Sequence, residues 1–84
     1  MDVKVRLFAG LKELVGGQEI VVPLDEGASL QDLEDELGRR YPRLKPLLPS
    51  LAFAVDEEYK TREHILRERD EVALIPPISG GSHV

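Results

Sequence analysis

The sequence predicts one two-layer α+β domain in which a single main helix lies across one face of a mixed β-sheet. Several short segments alternate apolar and polar residues, as half-buried strands do, and one longer segment repeats its apolar residues with helical spacing. The helical segment separates the first two strands from the last three, which favours two packed layers. Eighty-four residues make one domain, and a composition of 42% hydrophobic and 32% charged residues is typical of a soluble globular protein.

Composition also excludes several classes of function. Eleven basic against sixteen acidic residues give a net charge of −5, which argues against nucleic-acid binding because that binding depends on clustered Lys and Arg. No apolar run approaches the ~20 residues that cross a bilayer, and the first residues lack the pattern of a signal peptide, so we expect a cytoplasmic protein without a membrane partner. The absence of cysteine excludes disulfides and thiolate chemistry.

The first half of the chain predicts two strands and the main helix. Alternation predicts half-buried strands over residues 3–9 and 19–24, joined by a short, helical link over residues 10–15 and paired like a hairpin. Ser29 is a good helix N-cap because its hydroxyl can accept a backbone N–H, and Pro42 ends the helix. The helix presents one apolar face, which consists of Leu30, Leu33, Leu37 and Tyr41.

The second half predicts three further strands. Alternation indicates a strand over residues 51–55, a short strand at 59–60 and a last strand over 71–76, with an acidic turn at 56–58. With the last strand parallel to the first and beside it, this order favours a β-grasp, as in ubiquitin. Residues 1–76 would form this domain.

Three irregular segments remain. The turn-rich stretch after the helix is expected to seal the open end of the core with Leu44, Leu47 and Leu48. Residues 61–70 are mostly charged, which is typical of a solvated surface, and their apolar anchors are Ile65 and Leu66. Residues 77–84 show no periodicity and are expected to form an extended, mobile tail.

The most specific motif lies at the end of the last predicted strand. Residues 70–81 read DEVALIPPISGG, residues 5–9 read VRLFA, residues 12–16 read KELVG and residues 54–56 read AVD. These segments resemble the small subunit of molybdopterin synthase, the ubiquitin-like sulfur carrier of the MoaD/ThiS superfamily. The resemblance covers residues 1–81.

The resemblance implies a sulfur-transfer cycle at Gly80 and Gly81. An ATP-dependent, MoeB-like activating enzyme would join the Gly81 carboxylate to AMP, and sulfur would displace AMP to leave a thiocarboxylate. The tail would then enter the MoaE-like large subunit of molybdopterin synthase and donate sulfur to cyclic pyranopterin monophosphate in molybdenum cofactor biosynthesis. The chain would not be catalytic alone, and it would bind no cofactor or metal itself, since the activating enzyme uses the ATP.

The residue types suit this chemistry. A carboxylate is a poor electrophile, and its ester with AMP has a good leaving group. Glycine has no side chain and tolerates unusual φ, so Gly80 and Gly81 can pass through a narrow channel. Pro76 and Pro77 stiffen the base of the tail in an extended form, which lowers the entropy lost on insertion.

Strand phase predicts a docking surface. If Val3, Val5 and Leu7 face the helix, then Phe8 and Ile75 point to the other face of the sheet, and Tyr59 joins them from the short strand. This apolar group, rimmed by Lys4, Arg6 and Lys60 and continued by Pro76 and Pro77, suits a docking site for the activating enzyme and the large subunit, which the resemblance implies. The alternative is that single exposed apolar residues are common and need no explanation.

Residues 82–84 depart from the family, in which the second glycine ends the chain. Gly81 therefore has an amide where the mechanism needs a carboxylate, and we expect a processing peptidase to remove Ser82, His83 and Val84. The alternative is a diverged, inactive relative. Other roles that use the same tail are sulfur carriage for thiamine or tRNA thiolation and ubiquitin-like conjugation to lysines; a β-grasp interaction module without covalent chemistry also stays open.

Overall fold

The computed structural model of the protein describes residues 1–8 and 10–77. Within them lie two α-helices, α1 (Leu11–Val15) and α2 (Leu30–Arg40), and a 3₁₀ turn at Leu48–Ser50. The strands are β1 (Asp2–Leu7), β2 (Glu19–Pro23), β3 (Ala52–Val55), β4 (Glu58–Lys60) and β5 (Glu71–Ile75). No described helix is long and apolar enough to cross a membrane.

The sheet has the strand order β2-β1-β5-β3-β4. β1 and β5 are parallel, and every other neighbouring pair is antiparallel. The predicted hairpin-like pairing of β1 with β2, and the predicted parallel placement of the last strand beside the first, are therefore confirmed. Because β5 lies between β1 and β3, the chain leaves the middle of the sheet at Ile75.

Several predicted strand ends differ from the structure by one or two residues. β1 ends at Leu7, and Ala9 lies outside the described residues. β5 ends at Ile75, since Pro76 has no N–H with which to continue the ladder. Glu58 belongs to β4, so the turn between β3 and β4 consists of Asp56 and Glu57 alone.

Helix α2 begins as predicted at Ser29, which forms a full capping box. The Ser29 hydroxyl accepts the Asp32 N–H at 3.2 Å, and the Asp32 carboxylate accepts the Ser29 N–H at 2.9 Å. A second set of partners comes from the segment that follows β4. The Leu30 N–H donates to the His64 carbonyl at 2.9 Å, and the Gln31 N–H donates to the Arg62 carbonyl at 3.0 Å. These bonds satisfy N–H groups that a helix start otherwise leaves without partners.

The core lies between α2 and one face of the sheet. Its largest fully buried side chains are Phe53, Leu7, Leu30, Leu33, Leu37, Leu44, Leu66 and Leu74, with Val3, Val5, Val22 and Val72. Two predicted core positions are wrong. Leu47 is 41% exposed. The Leu48 N–H donates to the Leu44 carbonyl as in a helical turn, so Leu44 and Leu48, four residues apart, share the buried side and Leu47 does not. Ile65 is 53% exposed, since neighbouring residues of an extended segment point in opposite directions and Leu66 is the buried one.

The turn between β3 and β4 holds its backbone in a conformation that L-residues rarely adopt. Asp56 has φ 50° and Glu57 has φ 72°. Positive φ at both central residues is what a two-residue type I′ hairpin turn requires, and Asn-Gly is the sequence that such turns prefer. Glutamate in this region costs about 1–2 kcal/mol relative to its ordinary conformation. The sequence thus keeps an acidic pair at a position where its backbone is strained.

Candidate functional site

The predicted acyl-carrying residues, Gly80 and Gly81, lie outside the described residues, as does all of residues 78–84. The structure does describe the point from which they continue. β5 ends at Ile75, Pro76 is half-buried and Pro77 is exposed. The described residues therefore end at Pro77, two residues after the central strand β5, whose end lies beside the end of β1.

The face of the sheet opposite α2, here called the open face, gathers the predicted docking residues. Strand register places Ala54 opposite Tyr59 and Ala73, and Ile75 follows on β5 two residues after Ala73. Phe8 continues the outward-facing phase of β1 beyond Leu7. Tyr59 is 71% exposed, Phe8 is 44% exposed and Ile75 is half-buried. The structure thus brings Phe8, Tyr59 and Ile75 together on one surface, as strand phase predicted.

These side chains surround a concavity rather than a flat patch. The open-face cavity, as we call it, has a volume of about 290 Å³ and is lined chiefly by Phe8, Ala54, Tyr59, Ala73 and Ile75. Its depth has a simple cause. The two alanines carry only a methyl group on the outward face of β3 and β5, so the larger side chains on both sides stand above them. The strand register, which no local sequence pattern contains, is what shows that Ala54 and Ala73 are neighbours.

Charged groups surround the cavity unevenly. The Arg6 guanidinium carbon lies 5.9 Å from the centre of the Phe8 ring, within the range of a cation–π contact. Lys4 Nζ lies 3.9 Å from Glu19 Oε2 and 3.8 Å from Glu71 Oε2, so this cation is shared by two carboxylates. Asp56 and Glu57 complete the lining at the turn.

One predicted rim residue is misplaced. Lys60 pairs with Phe53 across β3 and β4, and paired residues point to the same face of a sheet. Lys60 therefore lies on the helix side, where its Nζ contacts Glu58 Oε1 at 3.1 Å. The prediction failed because Tyr59 and Lys60 are neighbours on one strand, and successive side chains of a strand point to opposite faces. The rim of the cavity is consequently less basic than the sequence suggested.

Sequence reasoning missed Arg62, which it placed within a solvated charged run. Its guanidinium donates to Glu34 Oε1 at 2.8 Å and to the carbonyls of Leu48 and Leu51 at 3.0 Å and 3.1 Å. The Arg62 guanidinium carbon also lies 4.7 Å from the centre of the Phe53 ring. Arg62 thereby joins the segment after Tyr59 to helix α2 and to the start of β3.

Titratable groups with shifted pKa values lie away from the open-face cavity. Side-chain hydrogen bonds from Arg40 and then Arg39 lower the pKa of Glu36 on helix α2. A side-chain hydrogen bond from Thr61 lowers the pKa of Glu63. Within residues 1–8 and 10–77, no three His, Asp or Glu side chains are arranged to hold a metal ion.

The chain is similar to known proteins in both sequence and fold. The ThiS family matches residues 5–81. The molybdopterin synthase sulfur carrier subunit of Arabidopsis thaliana is 40% identical over 81 residues, which are 96% of this chain and 84% of that protein. The crystal structure of SAMP1 from Haloferax volcanii is similar with a TM-score of 0.84 and 27% identity, over 96% of this chain and 100% of that one.

A further similar structure contains a partner subunit. It is the protein–protein complex of subunits 1 and 2 of molybdopterin-converting factor from Helicobacter pylori, with a TM-score of 0.71 and 26% identity. The similarity covers 96% of this chain and 100% of the matched chain. Together with SAMP1, this neighbour confirms the predicted β-grasp fold.

Proposed function

The chain belongs to the ThiS family, and from that premise we propose that it is a sulfur carrier that acts as the small subunit of a molybdopterin synthase. The active group is the main-chain carboxyl of Gly81, freed by a peptidase that hydrolyses the Gly81–Ser82 bond. The activating enzyme is a separate, ATP-using protein. The large subunit of the synthase is the partner that receives the loaded tail.

The proposed chemistry proceeds in four balanced steps. A carboxylate oxygen of Gly81 attacks the α-phosphorus of ATP, forms the acyl-adenylate and releases pyrophosphate. Sulfide then attacks the acyl carbon, AMP leaves, and a thiocarboxylate remains. Within the large subunit, the thiocarboxylate sulfur attacks a side-chain carbon of cyclic pyranopterin monophosphate, a C–O bond of that carbon breaks, and a thioester joins Gly81 to the pterin. Water then cleaves the acyl C–S bond, which leaves the sulfur on the pterin as a thiolate and restores the Gly81 carboxylate. No side chain of this protein has to act as a nucleophile, which suits a chain without cysteine.

One observation carries the proposal. Strand β5 lies in the middle of the sheet and ends beside an exposed, mostly apolar cavity; Pro76 and Pro77 follow it directly, and Gly80 and Gly81 come three and four residues after Pro77 in the sequence. A partner that binds the open face can therefore hold the β-grasp domain in place while the tail reaches the active site of that partner. The similar protein from Helicobacter pylori forms a complex with a second subunit, which supports a docking partner of this kind.

Reconstitution tests the proposal. A chain that ends at Gly81 is incubated with the activating enzyme, ATP and sulfide, and then with the large subunit and cyclic pyranopterin monophosphate. We expect molybdopterin to form, at two carriers consumed per product, because its dithiolene contains two sulfur atoms. A loaded carrier that binds the large subunit but transfers no sulfur to the pterin would contradict the pterin assignment.

A second function is favoured by a specific observation. SAMP1 from Haloferax volcanii is named in full, in a second structure, as small archaeal modifier protein 1. Its TM-score of 0.84 is higher than the 0.71 of the complex from Helicobacter pylori. An adenylated Gly81 could be attacked by a lysine amine as well as by sulfide. Cells that express the tagged chain would then contain a series of larger conjugates with isopeptide bonds at lysine, which mass spectrometry identifies directly.

A further inference from the structure

We propose that the open-face cavity receives one large apolar side chain of the partner, and that Asp56 and Glu57 pair with a basic side chain beside it on the same partner segment. This inference rests on the proposed function, since the segment is taken to belong to the large subunit. It adds the chemical identity of the recognition element to the docking surface already described.

The volume and lining of the cavity support the first half of the proposal, that an apolar side chain of the partner enters it. Its volume of about 290 Å³ lies at the lower limit of the ~300–1,000 Å³ found for pockets that hold whole small molecules. The walls from Phe8, Tyr59 and Ile75 and the floor from Ala54 and Ala73 are mostly apolar, and four charged residues line the cavity beside them. A protruding apolar side chain fits such a space, and buried anchors of this kind dominate the energy of protein interfaces.

The charges at the rim of the cavity support the second half of the proposal, that the partner carries a basic side chain beside the apolar one. Four charged residues line the cavity: Arg6, Asp56, Glu57 and Glu71. Arg6 lies over Phe8, and Glu71 is near Lys4. Among the ion pairs of residues 1–8 and 10–77, none includes Asp56 or Glu57. Two carboxylates beside an apolar cavity favour a lysine or arginine on the partner, since complementary charges set register and speed association.

The backbone of the turn makes this inference testable without damage to the fold. Asp56→Asn/Glu57→Gly creates the Asn-Gly pair that a type I′ turn prefers, and it removes both charges. The amide oxygen of the new asparagine can still accept the Glu71 N–H, which the Asp56 carboxylate accepts at 3.5 Å. Folding stability and partner affinity are therefore expected to move in opposite directions, which a structural role of the two carboxylates does not predict.

The first experiment measures affinity for the large subunit by calorimetric titration at low and at moderate salt. We expect Asp56→Asn/Glu57→Gly to raise the thermal midpoint, weaken binding roughly tenfold at low salt and flatten the salt dependence. The matched control is Asp25→Asn/Glu26→Gln, which removes two exposed charges from a loop that does not line the cavity. Unchanged affinity of the turn variant, or an equal loss in the control, would overturn the basic part.

The second experiment fills the cavity. Ala73→Ile places a larger side chain on its floor, and a β-branched residue suits the central strand β5. We expect its affinity for the large subunit to fall at least tenfold, while Tyr59→Ala, which removes one wall, lowers affinity by a similar factor. A folded Ala73→Ile protein that binds as tightly as wild type would overturn the apolar part.

Failure of the inference and failure of the proposed function give different results. If the unmodified chain binds the large subunit and the variants bind equally well, the recognition element is wrong and the sulfur-carrier role stands. If the unmodified chain does not bind the large subunit at all, the proposed synthase partnership itself is wrong.

Discussion

A chain that ends at Gly81 should form an acyl-adenylate with ATP and the activating enzyme, whereas chains that end at Gly80 or at Val84 should form none. The reaction needs a free main-chain carboxylate at one distance from the docked body. Each residue of an extended chain spans at most ~3.3–3.6 Å, so the loss of Gly81 withdraws the carboxylate by more than the reaction geometry tolerates. ATP–pyrophosphate exchange measures this step directly.

The three chains are matched controls for one another because all contain residues 1–77, which include every described element of the fold. Equal thermal midpoints would show that only the chain end differs. Exchange activity should fall from its full value to background when the end moves by one residue. Comparable exchange with the chain that ends at Val84 would contradict the requirement for a free Gly81 carboxylate, and with it the need for a peptidase.

The Arg62→Met variant should be less stable than wild type by about 2–3 kcal/mol. Hydrogen bonds to charged groups contribute roughly 1.5–3 kcal/mol, and the variant also leaves two carbonyls, those of Leu48 and Leu51, without this donor. Methionine keeps an unbranched apolar side chain, so the measured loss reports the hydrogen bonds, the ion pair with Glu34 and the contact of the guanidinium with the Phe53 ring. Urea denaturation gives the free energy of unfolding.

Arg43→Met is the matched control for this change. Arg43 is exposed in the turn after α2, and surface substitutions of that kind usually change stability by no more than about 0.5 kcal/mol. Equal losses in the two variants would contradict the role given to Arg62. Because Arg62 lies two residues after β4, its loss should also loosen Tyr59 and weaken docking on the open face.

The fold could be predicted from the sequence because its local signals agree with one another. Alternation located every strand, Ser29 identified the start of α2, and the buried phase of β1 and β5 indicated which face meets the helix. The bounds of the short strand β4 were predicted to within one residue, but the face of Lys60 was not. Lys60 was assigned to the wrong face because it was grouped with Tyr59, its neighbour on β4, although successive side chains of a strand alternate between faces.

The site could be predicted only in part, and the reason is physical. Phe8, Tyr59 and Ile75 were found because each is an apolar residue in an outward strand phase. The alanine floor depends on strand register, which is a long-range property that no local pattern contains. Arg62 was missed because a charged residue in a charged segment shows no sign of its partners, which lie 28 residues away at Glu34 and 11 residues away at Leu51.

The central claim, that Gly81 carries sulfur on its main-chain carboxyl, is tested most directly by intact mass spectrometry of the protein purified from its own cells. The account predicts a species that lacks residues 82–84 and is heavier than the trimmed chain by the difference between one sulfur and one oxygen atom. Fragmentation should place that difference on the last residue. A native population that consists solely of the chain ending at Val84, or of a trimmed chain that never contains sulfur even when the activating enzyme is present, would contradict it.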